Sequence, residues 1–226
     1  MAANAIPTPA ELRDRCILAS IVHAVMNARF PQLSHEQAWD GSNYNVQDSE
    51  GSRGTVSFQG DDAFCAAFFL DTSERNPFRS GTEAQPTERL LGAPHRIVQL
   101  AQTETFQYLL QDWKGQPRPI VTAAFWGVGG DSGAAEPWPQ VIQHGASLIQ
   151  RQCLPIRAAW DDWKRAYEMS DPELSLAKEL FDRRRKVSGP VKLTSSEEAE
   201  LANFAAEGDG LAECLESLAE VQIVKA

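Results

Sequence analysis

The chain has no long apolar run. Its longest uninterrupted apolar stretch is AFCAAFFL, residues 63–70, whereas a membrane-spanning helix needs about 20 apolar residues. The amino terminus, MAANAIPTPAELRDRC, also lacks the basic start and the following apolar segment of a secretory leader. We therefore expect a cytoplasmic protein that contacts no membrane.

Cysteine and histidine are scarce, and neither is clustered. The four cysteines, Cys16, Cys65, Cys153 and Cys214, lie far apart and form no Cys-x-x-Cys pair, so neither a disulfide framework nor a zinc site is indicated. The four histidines are isolated from one another along the chain. These spacings predict buried free thiols in a reducing compartment, no bound metal and no cofactor.

Positive charge is in the minority. The chain has 21 Lys and Arg against 31 Asp and Glu, which gives a net charge of −10. The imbalance is uneven, because residues 1–100 carry −4, residues 101–192 carry +1 and residues 193–226 carry −7. A nucleic-acid interface needs a basic field, so we expect no nucleic-acid partner. A basic protein suits this surface better.

One short motif lacks two residues that its resemblance would require. Gly130-Asp131-Ser132-Gly133 resembles the nucleophile motif of trypsin-like serine proteases. That family has a second glycine where Ala134 stands, and a histidine after Thr-Ala-Ala where Phe125 stands. Without the imidazole, the serine hydroxyl has no base in the motif. We predict a polar loop, although an enzyme with an unrecognised site near residues 127–133 or 34–45 stays an alternative.

The residues that are present have the pattern of a globular α+β protein. Thr8-Pro9-Ala10-Glu11 and Thr194-Ser195-Ser196-Glu197 are capping boxes. Apolar residues recur at helical spacing after the first, and His23 falls within this apolar face, which predicts a core or boundary residue. Alternation over 44–58 and the apolar run 63–70 predict a three-stranded antiparallel meander, to which residues 118–130 add a fourth strand. Helical patterns cover residues 87–113, with a break near 92–94, and residues 137–150, 154–168, 172–186, 198–206 and 211–220. We therefore predict an α+β fold, with a small, mostly antiparallel sheet of about four strands packed by amino-terminal and carboxy-terminal helices.

Length and charge set the predicted domain organisation. At 226 residues the chain suits one domain better than two. The breaker Ser188-Gly189-Pro190 precedes the acidic stretch. We predict a single α+β domain over residues 1–190 and an acidic helical segment over residues 191–226 packed on it. The sequence leaves the oligomeric state open.

Candidate partner-binding residues come from two places. One is the segment 34–45, where aromatic and acidic side chains fall together as they do on binding surfaces; the alternative is a tryptophan that covers the sheet edge. The other consists of the acids at the two ends of the apolar run 63–70; the alternative is solvated turn residues. The predicted partner-binding residues are Trp39, Asp40, Tyr44, Asp61, Asp62 and Asp71. We predict no catalytic residue.

The stretch WDGSNYN…RGTVSFQG…FCAAFFLD, within residues 35–71, resembles sequences of immunity proteins from bacterial toxin systems. The resemblance implies a small cytoplasmic inhibitor that neutralises a toxin domain by occluding its active site. An acidic surface suits a basic toxin. The resemblance assigns no individual site residues. An enzyme with an unrecognised site and a structural or scaffolding subunit stay the alternatives.

Overall fold

The chain forms two compact units. A computed structural model describes residues 6–82, 84–206 and 208–226. Unit 1 comprises residues 1–13 and 40–153, and unit 2 comprises residues 14–39 and 154–226. Residues 154–190 therefore share a unit with the acidic segment 191–226. Each unit carries a net charge of −5. Of the helices described, none has the length and apolarity to cross a bilayer.

Short helices and strands alternate along the chain. The α-helices are α1 (Pro9–Asn27), α2 (Pro77–Ser80), α3 (His95–Thr103), α4 (Trp138–Gln143), α5 (Ile156–Ala166), α6 (Asp171–Lys186), α7 (Ser195–Phe204) and α8 (Gly210–Glu220). Single 3-10 helices span Pro31–Glu36, Pro86–Leu90, Thr105–Leu109 and Ala146–Ile149. The strands are β1 (Gln37–Asp40), β2 (Asn43–Gln47), β3 (Arg53–Gln59), β4 (Ala63–Phe69), β5 (Leu110–Trp113), β6 (Gln116–Pro119), β7 (Ala123–Val128), β8 (Asp131–Gly133), β9 (Val191–Lys192) and β10 (Ile223–Val224).

Six strands form one antiparallel sheet in the order β1-β2-β3-β4-β7-β8. The predicted α+β class is confirmed, but the prediction of about four strands is wrong. The sequence pattern indicates β2, β3, β4 and β7. The edge strands β1 and β8 have only four and three residues, too few to show alternation. The remaining strands form the β5–β6 hairpin and a parallel β9–β10 pair.

Strand β4 is buried along its whole length, as its uninterrupted apolar sequence predicts. Glycines stand opposite its phenylalanines, with Gly54 paired to Phe68 and Gly127 paired to Phe64. A Cβ at Gly54 or Gly127 would lie 2.3 or 2.4 Å from the facing ring. The phenylalanine rings therefore cover the backbone of the neighbouring strands, and only glycine leaves room for them.

The helical pattern predicted over 87–113 is only partly correct. Helix α3 ends at Thr103, and residues 110–113 form strand β5. Lys114 and Gly115 both have positive φ, 55° and 80°, which is the backbone of a two-residue hairpin turn. The turn reverses the chain where a helix would have continued. The predicted helix over 137–150 is likewise interrupted, at Gly145 with φ of 153°.

Unit 2 has a core formed by its helices. Buried apolar side chains of α1, α5, α6, α7 and α8 form one cluster, which Leu193, Val221 and Ile223 of the carboxy-terminal segment join. Buried side chains of the described carboxy-terminal residues thus belong to the core of their own unit. The capping box predicted at Thr194 is present, because its hydroxyl accepts from the Glu197 N–H and the Glu197 carboxylate accepts from the Thr194 N–H. All four cysteines are free and buried, as predicted.

Candidate binding pocket

A cavity of about 440 Å³ opens in unit 1 where the β1–β2 turn meets the end of β3 and the end of α3. We call it the acidic pocket. Its lining residues are Asp40, Gly41, Ser42, Asn43, Phe58, Gln59, Leu100, Glu104 and Tyr108. Its volume lies in the lower part of the range of roughly 300–1,000 Å³ that small-ligand sites occupy.

Local backbone geometry brings the pocket residues together. Gly41 has φ of 60°, a left-handed conformation that suits glycine in a tight turn, so the chain reverses between β1 and β2. The Phe58 N–H donates to the Ser42 carbonyl at 3.0 Å, which ties this turn to the end of β3. Glu104 and Tyr108 are four residues apart at the end of α3 and in the 3-10 helix after it.

A hydrogen-bond network links the two carboxylates of the pocket. The Tyr108 hydroxyl donates to Asp40 Oδ2 at 2.7 Å. The Asn43 side-chain amide lies 3.1 Å from the Tyr108 oxygen, 3.3 Å from Glu104 Oε2 and 3.2 Å from the Asp40 carbonyl. Asp40 and Glu104 are exposed, whereas Asn43 is only 7% exposed. The network holds two solvated carboxylates over a buried amide.

The phenol of Tyr108 stays neutral well above physiological pH. Desolvation, the hydrogen bond to Asp40 and the negative charge of Asp40 raise the pKa of Tyr108 to about 12, and the charge of Glu104 acts in the same direction. The hydrogen bond from Asn43 lowers it. Tyr108 is therefore a hydrogen-bond donor whose proton is already used by Asp40.

Arginines neutralise the other acids that we predicted as partner-binding residues. Asp61 is paired with Arg13 at 2.8 Å and Asp62 with Arg96 at 3.1 Å, both at the turn between β3 and β4. Asp71, at the other end of β4, is paired with Arg79 at 2.9 Å. In contrast, no Lys or Arg in the described ranges forms an ion pair with Asp40 or Glu104.

The two predicted aromatic residues have structural contacts. Tyr44 is 0% exposed, and its hydroxyl accepts from Gln152 Nε2 at 2.7 Å, so its ring does not reach a partner at the surface. Trp39 is half-buried against the core of unit 2. Its indole N–H donates to Ser20 Oγ and its backbone N–H donates to Glu220 Oε2, both at 2.8 Å. Of the six predicted residues, Asp40 alone lines the acidic pocket.

Sequence reasoning missed Glu104 and Tyr108, and it included Asn43 only as a member of the segment 34–45. Asn43 lies within the segment 34–45 that we selected, but nothing marks it apart from its neighbours. Glu104 and Tyr108 are 61 and 65 positions away from it. Their spacing of four residues fits an ordinary helix face. Only the fold of unit 1 brings these side chains to Asp40.

The last three residues of the Gly130–Gly133 motif form the short edge strand β8. The Ser132 hydroxyl donates to the Ile6 carbonyl at 3.1 Å. A Cβ at Gly133 would lie 2.7 Å from the Trp126 ring, so the strand passes directly over this indole. Within the described part of the chain no histidine hydrogen-bonds to Ser132, and the motif is a strand with a local structural role.

A serine, a histidine and a carboxylate do meet elsewhere in unit 1. His144 Nδ1 lies 3.0 Å from Ser73 Oγ, and His144 Nε2 lies 3.8 Å from Glu74 Oε1. Ser73 is only 4% exposed, and its Oγ also accepts from the Arg75 N–H at 3.1 Å. A nucleophile must reach its substrate, whereas this hydroxyl is enclosed in a turn. The arrangement fixes the turn after β4.

The acidic pocket offers carboxylates, an amide and a phenol to a ligand. No histidine or cysteine lines it, and within residues 6–82, 84–206 and 208–226 no three His, Cys, Asp or Glu side chains are grouped to hold a metal ion.

Comparisons with protein-family models, with curated proteins and with solved structures give no match to this chain.

Proposed function

We propose that the protein is an inhibitor of the immunity type, which binds a basic toxin domain through the acidic pocket and neutralises it by occlusion. The proposal places the protein in the cytoplasm, with a protein partner and without a membrane or nucleic acid. The observation that carries it is the contrast between the pocket acids and the others. Asp40 and Glu104 have no cationic partner among the described residues, whereas Asp61, Asp62 and Asp71 each have an arginine.

Unpaired, exposed carboxylates are the groups that a basic partner would meet first. Unit 1 carries a net charge of −5, and a field of one sign speeds the encounter with a partner of the opposite sign. Charge complementarity then sets the orientation of the complex. The turn acids contribute to the long-range field, but their arginines reduce what they can contribute at contact.

The composition of the pocket supports a binding role over a catalytic one. Its carboxylates are exposed, its phenol is neutral, and its lining contains no imidazole or thiol. Nucleophilic catalysis by serine or cysteine normally pairs the nucleophile with an activating base such as an imidazole. A shallow acidic site beside apolar walls is better suited to hold a side chain of another protein.

Affinity capture followed by a toxicity assay tests the proposal. The tagged protein is used as bait in a lysate of the cells that naturally express it, and the captured proteins are identified by mass spectrometry. We expect one basic protein that stops growth when expressed alone and is harmless when co-expressed with this chain. A captured partner that is not toxic would contradict the inhibitor hypothesis and favour the scaffolding alternative. The absence of any specific partner would favour the enzyme alternative.

A further inference from the structure

We infer that the acidic pocket is built to receive a single arginine side chain, with the guanidinium at Asp40 and Glu104 and the methylene stem against Phe58 and Leu100. This inference deepens the proposed function, and it rests on that proposal for the basic protein that carries the arginine. It concerns the chemistry of the same site. Four observations carry it.

The fixed polar groups of the pocket offer acceptors and no spare donor. The Tyr108 proton is used by Asp40, and the Asn43 N–H groups face three acceptors. Within the described residues, no hydrogen bond reaches Asp40 Oδ1 or Glu104 Oε1. Ser42 and Gln59 are exposed side chains at the rim and can turn to donate or accept. A ligand of this pocket must therefore bring its own donors.

Asn43 adds an unpartnered acceptor at the buried side of the pocket. Its orientation is determined, because the Glu104 carboxylate and the Asp40 carbonyl only accept and so must face the NH2 group. That leaves Oδ1 on the other side, buried and without a hydrogen-bond partner among the described residues. A buried acceptor without a partner is unfavourable, and because Oδ1 is fully covered, a ligand donor reaches it only if the side chains that cover it move.

The charge and shape of the pocket favour arginine over lysine. Two exposed carboxylates require a cation, and a planar guanidinium has five N–H donors that can serve carboxylate and amide oxygens together. An ammonium group is a compact charge with three donors. Phe58 and Leu100 are buried apolar residues in the lining, and they provide a wall for the three-carbon stem of arginine.

The Phe58 ring already has a cation–π contact with one arginine of the chain. The Arg13 guanidinium lies 5.8 Å from the centre of the Phe58 ring. Arg13 is paired with Asp61 at 2.8 Å and also donates to the Gly60 carbonyl at 3.0 Å. Its charge is thus committed outside the lining of the pocket, and Asp40 and Glu104 stay open to a second cation.

Small probes test the inference directly. N-acetyl-arginine-N-methylamide and its lysine counterpart are titrated into the ¹⁵N-labelled full chain at low salt, and backbone and side-chain amide shifts are followed by NMR. We expect the arginine probe to shift the Asn43 side-chain amide and the signals of Tyr108 and Phe58. Its dissociation constant should be lower than that of the lysine probe by roughly tenfold, the value of one charge-assisted hydrogen bond.

Two double variants of equal charge separate a site from a general field. Asp40→Asn with Glu104→Gln keeps an acceptor oxygen at each position, so the hydrogen bonds from Tyr108 and Asn43 can persist. Glu213→Gln with Glu216→Gln removes the same charge from α8. We expect the pocket variant to weaken arginine binding by about tenfold or more and the α8 variant to bind as the unmodified protein does. Matching unfolding midpoints confirm that both variants fold.

Equal affinity for the lysine probe, or unchanged arginine binding by the pocket variant, would overturn the inference. Its failure is distinguishable from failure of the proposed function. If the arginine probe binds as expected but no toxic basic partner exists, the pocket inference stands and the inhibitor hypothesis fails. If both the unmodified protein and the pocket variant neutralise a toxic partner equally, the inhibitor role stands, but the arginine site and binding through the acidic pocket both fail.

Discussion

Protonation of His23 should destabilise unit 2 as the pH falls. His23 lies on α1 with 1% exposure, and its Nδ1 is 3.1 Å from the Tyr167 hydroxyl. Burial lowers the pKa of His23 from 6.5 to about 4, the backbone hydrogen bonds of Ser34 and Leu33 oppose that shift, and the charge of His35 adds to it. The unfolded chain therefore binds this proton more readily than the folded chain does, and stability is lost as the pH falls below 6.5.

The magnitude follows from the two pKa values. The pKa of His23 is 6.5 in the unfolded chain and about 4 in the folded chain. Its protonation therefore lowers the free energy of unfolding by about 2 kcal/mol between pH 7.5 and pH 5. The same residue costs about 3 kcal/mol by pH 4. His144 has a pKa that burial also lowers, so the whole protein loses more than His23 alone accounts for. Comparison with a variant isolates the contribution of His23.

Urea unfolding followed by circular dichroism at pH 7.5, 6.5, 5.5 and 5.0 measures this dependence. His23→Gln removes the titrating group, so its unfolding free energy should fall by about 2 kcal/mol less over this range than that of the unmodified protein. His95→Gln, at an exposed position of α3, is the matched control and should follow the unmodified protein. The reasoning is refuted if the His23 variant keeps the full pH dependence.

Three further predictions concern unit 1. Asp40→Asn should lower the pKa of Tyr108 from about 12, because it removes a charge that raises it; difference absorbance against Tyr108→Phe measures it, and an unchanged value would contradict the network. Gly127→Ala should cost about 1–3 kcal/mol by overpacking against Phe64, as urea midpoints would show. Glu136→Gln should cost roughly 2 kcal/mol, since its carboxylate bridges two half-buried arginines at 2.5 and 3.0 Å; equal urea midpoints would refute this.

Matched controls exist for the two stability predictions. Gly130 has nothing within 4 Å of an added Cβ, so Gly130→Ala should leave the midpoint nearly unchanged. Glu88 is exposed, and Glu88→Gln should change stability by no more than about 0.5 kcal/mol. If a control lowers the free energy of unfolding as much as the variant it is matched to, the specific contact is not responsible. The cause is then the loss of a glycine or of a charge in general.

Local sequence signals predict much of the fold. The capping box at Thr194, the helix start after Thr8, the alternating residues of β2 and the apolar run of β4 each depend on neighbours in the sequence, and each is found where predicted. At Thr8 the Glu11 carboxylate accepts from the backbone N–H, as in one half of a capping box. His23 in the apolar face of α1 is a buried core residue, as its helical position indicates. Such features depend on hydrophobic periodicity and on turn residues, both of which can be read from a single sequence.

The features that sequence reasoning missed depend on distant residues. Edge strands β1 and β8 form because the neighbouring longer strands offer them hydrogen-bonding partners. Their own residues are too few to show the apolar–polar alternation of a strand. We predicted Tyr44 as a partner-binding aromatic, yet the fold buries it, and its hydroxyl accepts from Gln152, which is 108 positions away. Asp40 and Tyr108 meet over 68 positions. Packing between distant parts of the chain determines these contacts, so local sequence patterns do not predict them.

Parallel capture with three baits tests the central claim most directly. The baits are the unmodified protein, the pocket variant Asp40→Asn with Glu104→Gln, and the α8 variant Glu213→Gln with Glu216→Gln, all in the same lysate at low and moderate salt. The account predicts that one basic protein is enriched by the first and third baits and is reduced by about tenfold with the pocket variant. Equal enrichment by all three baits would contradict it.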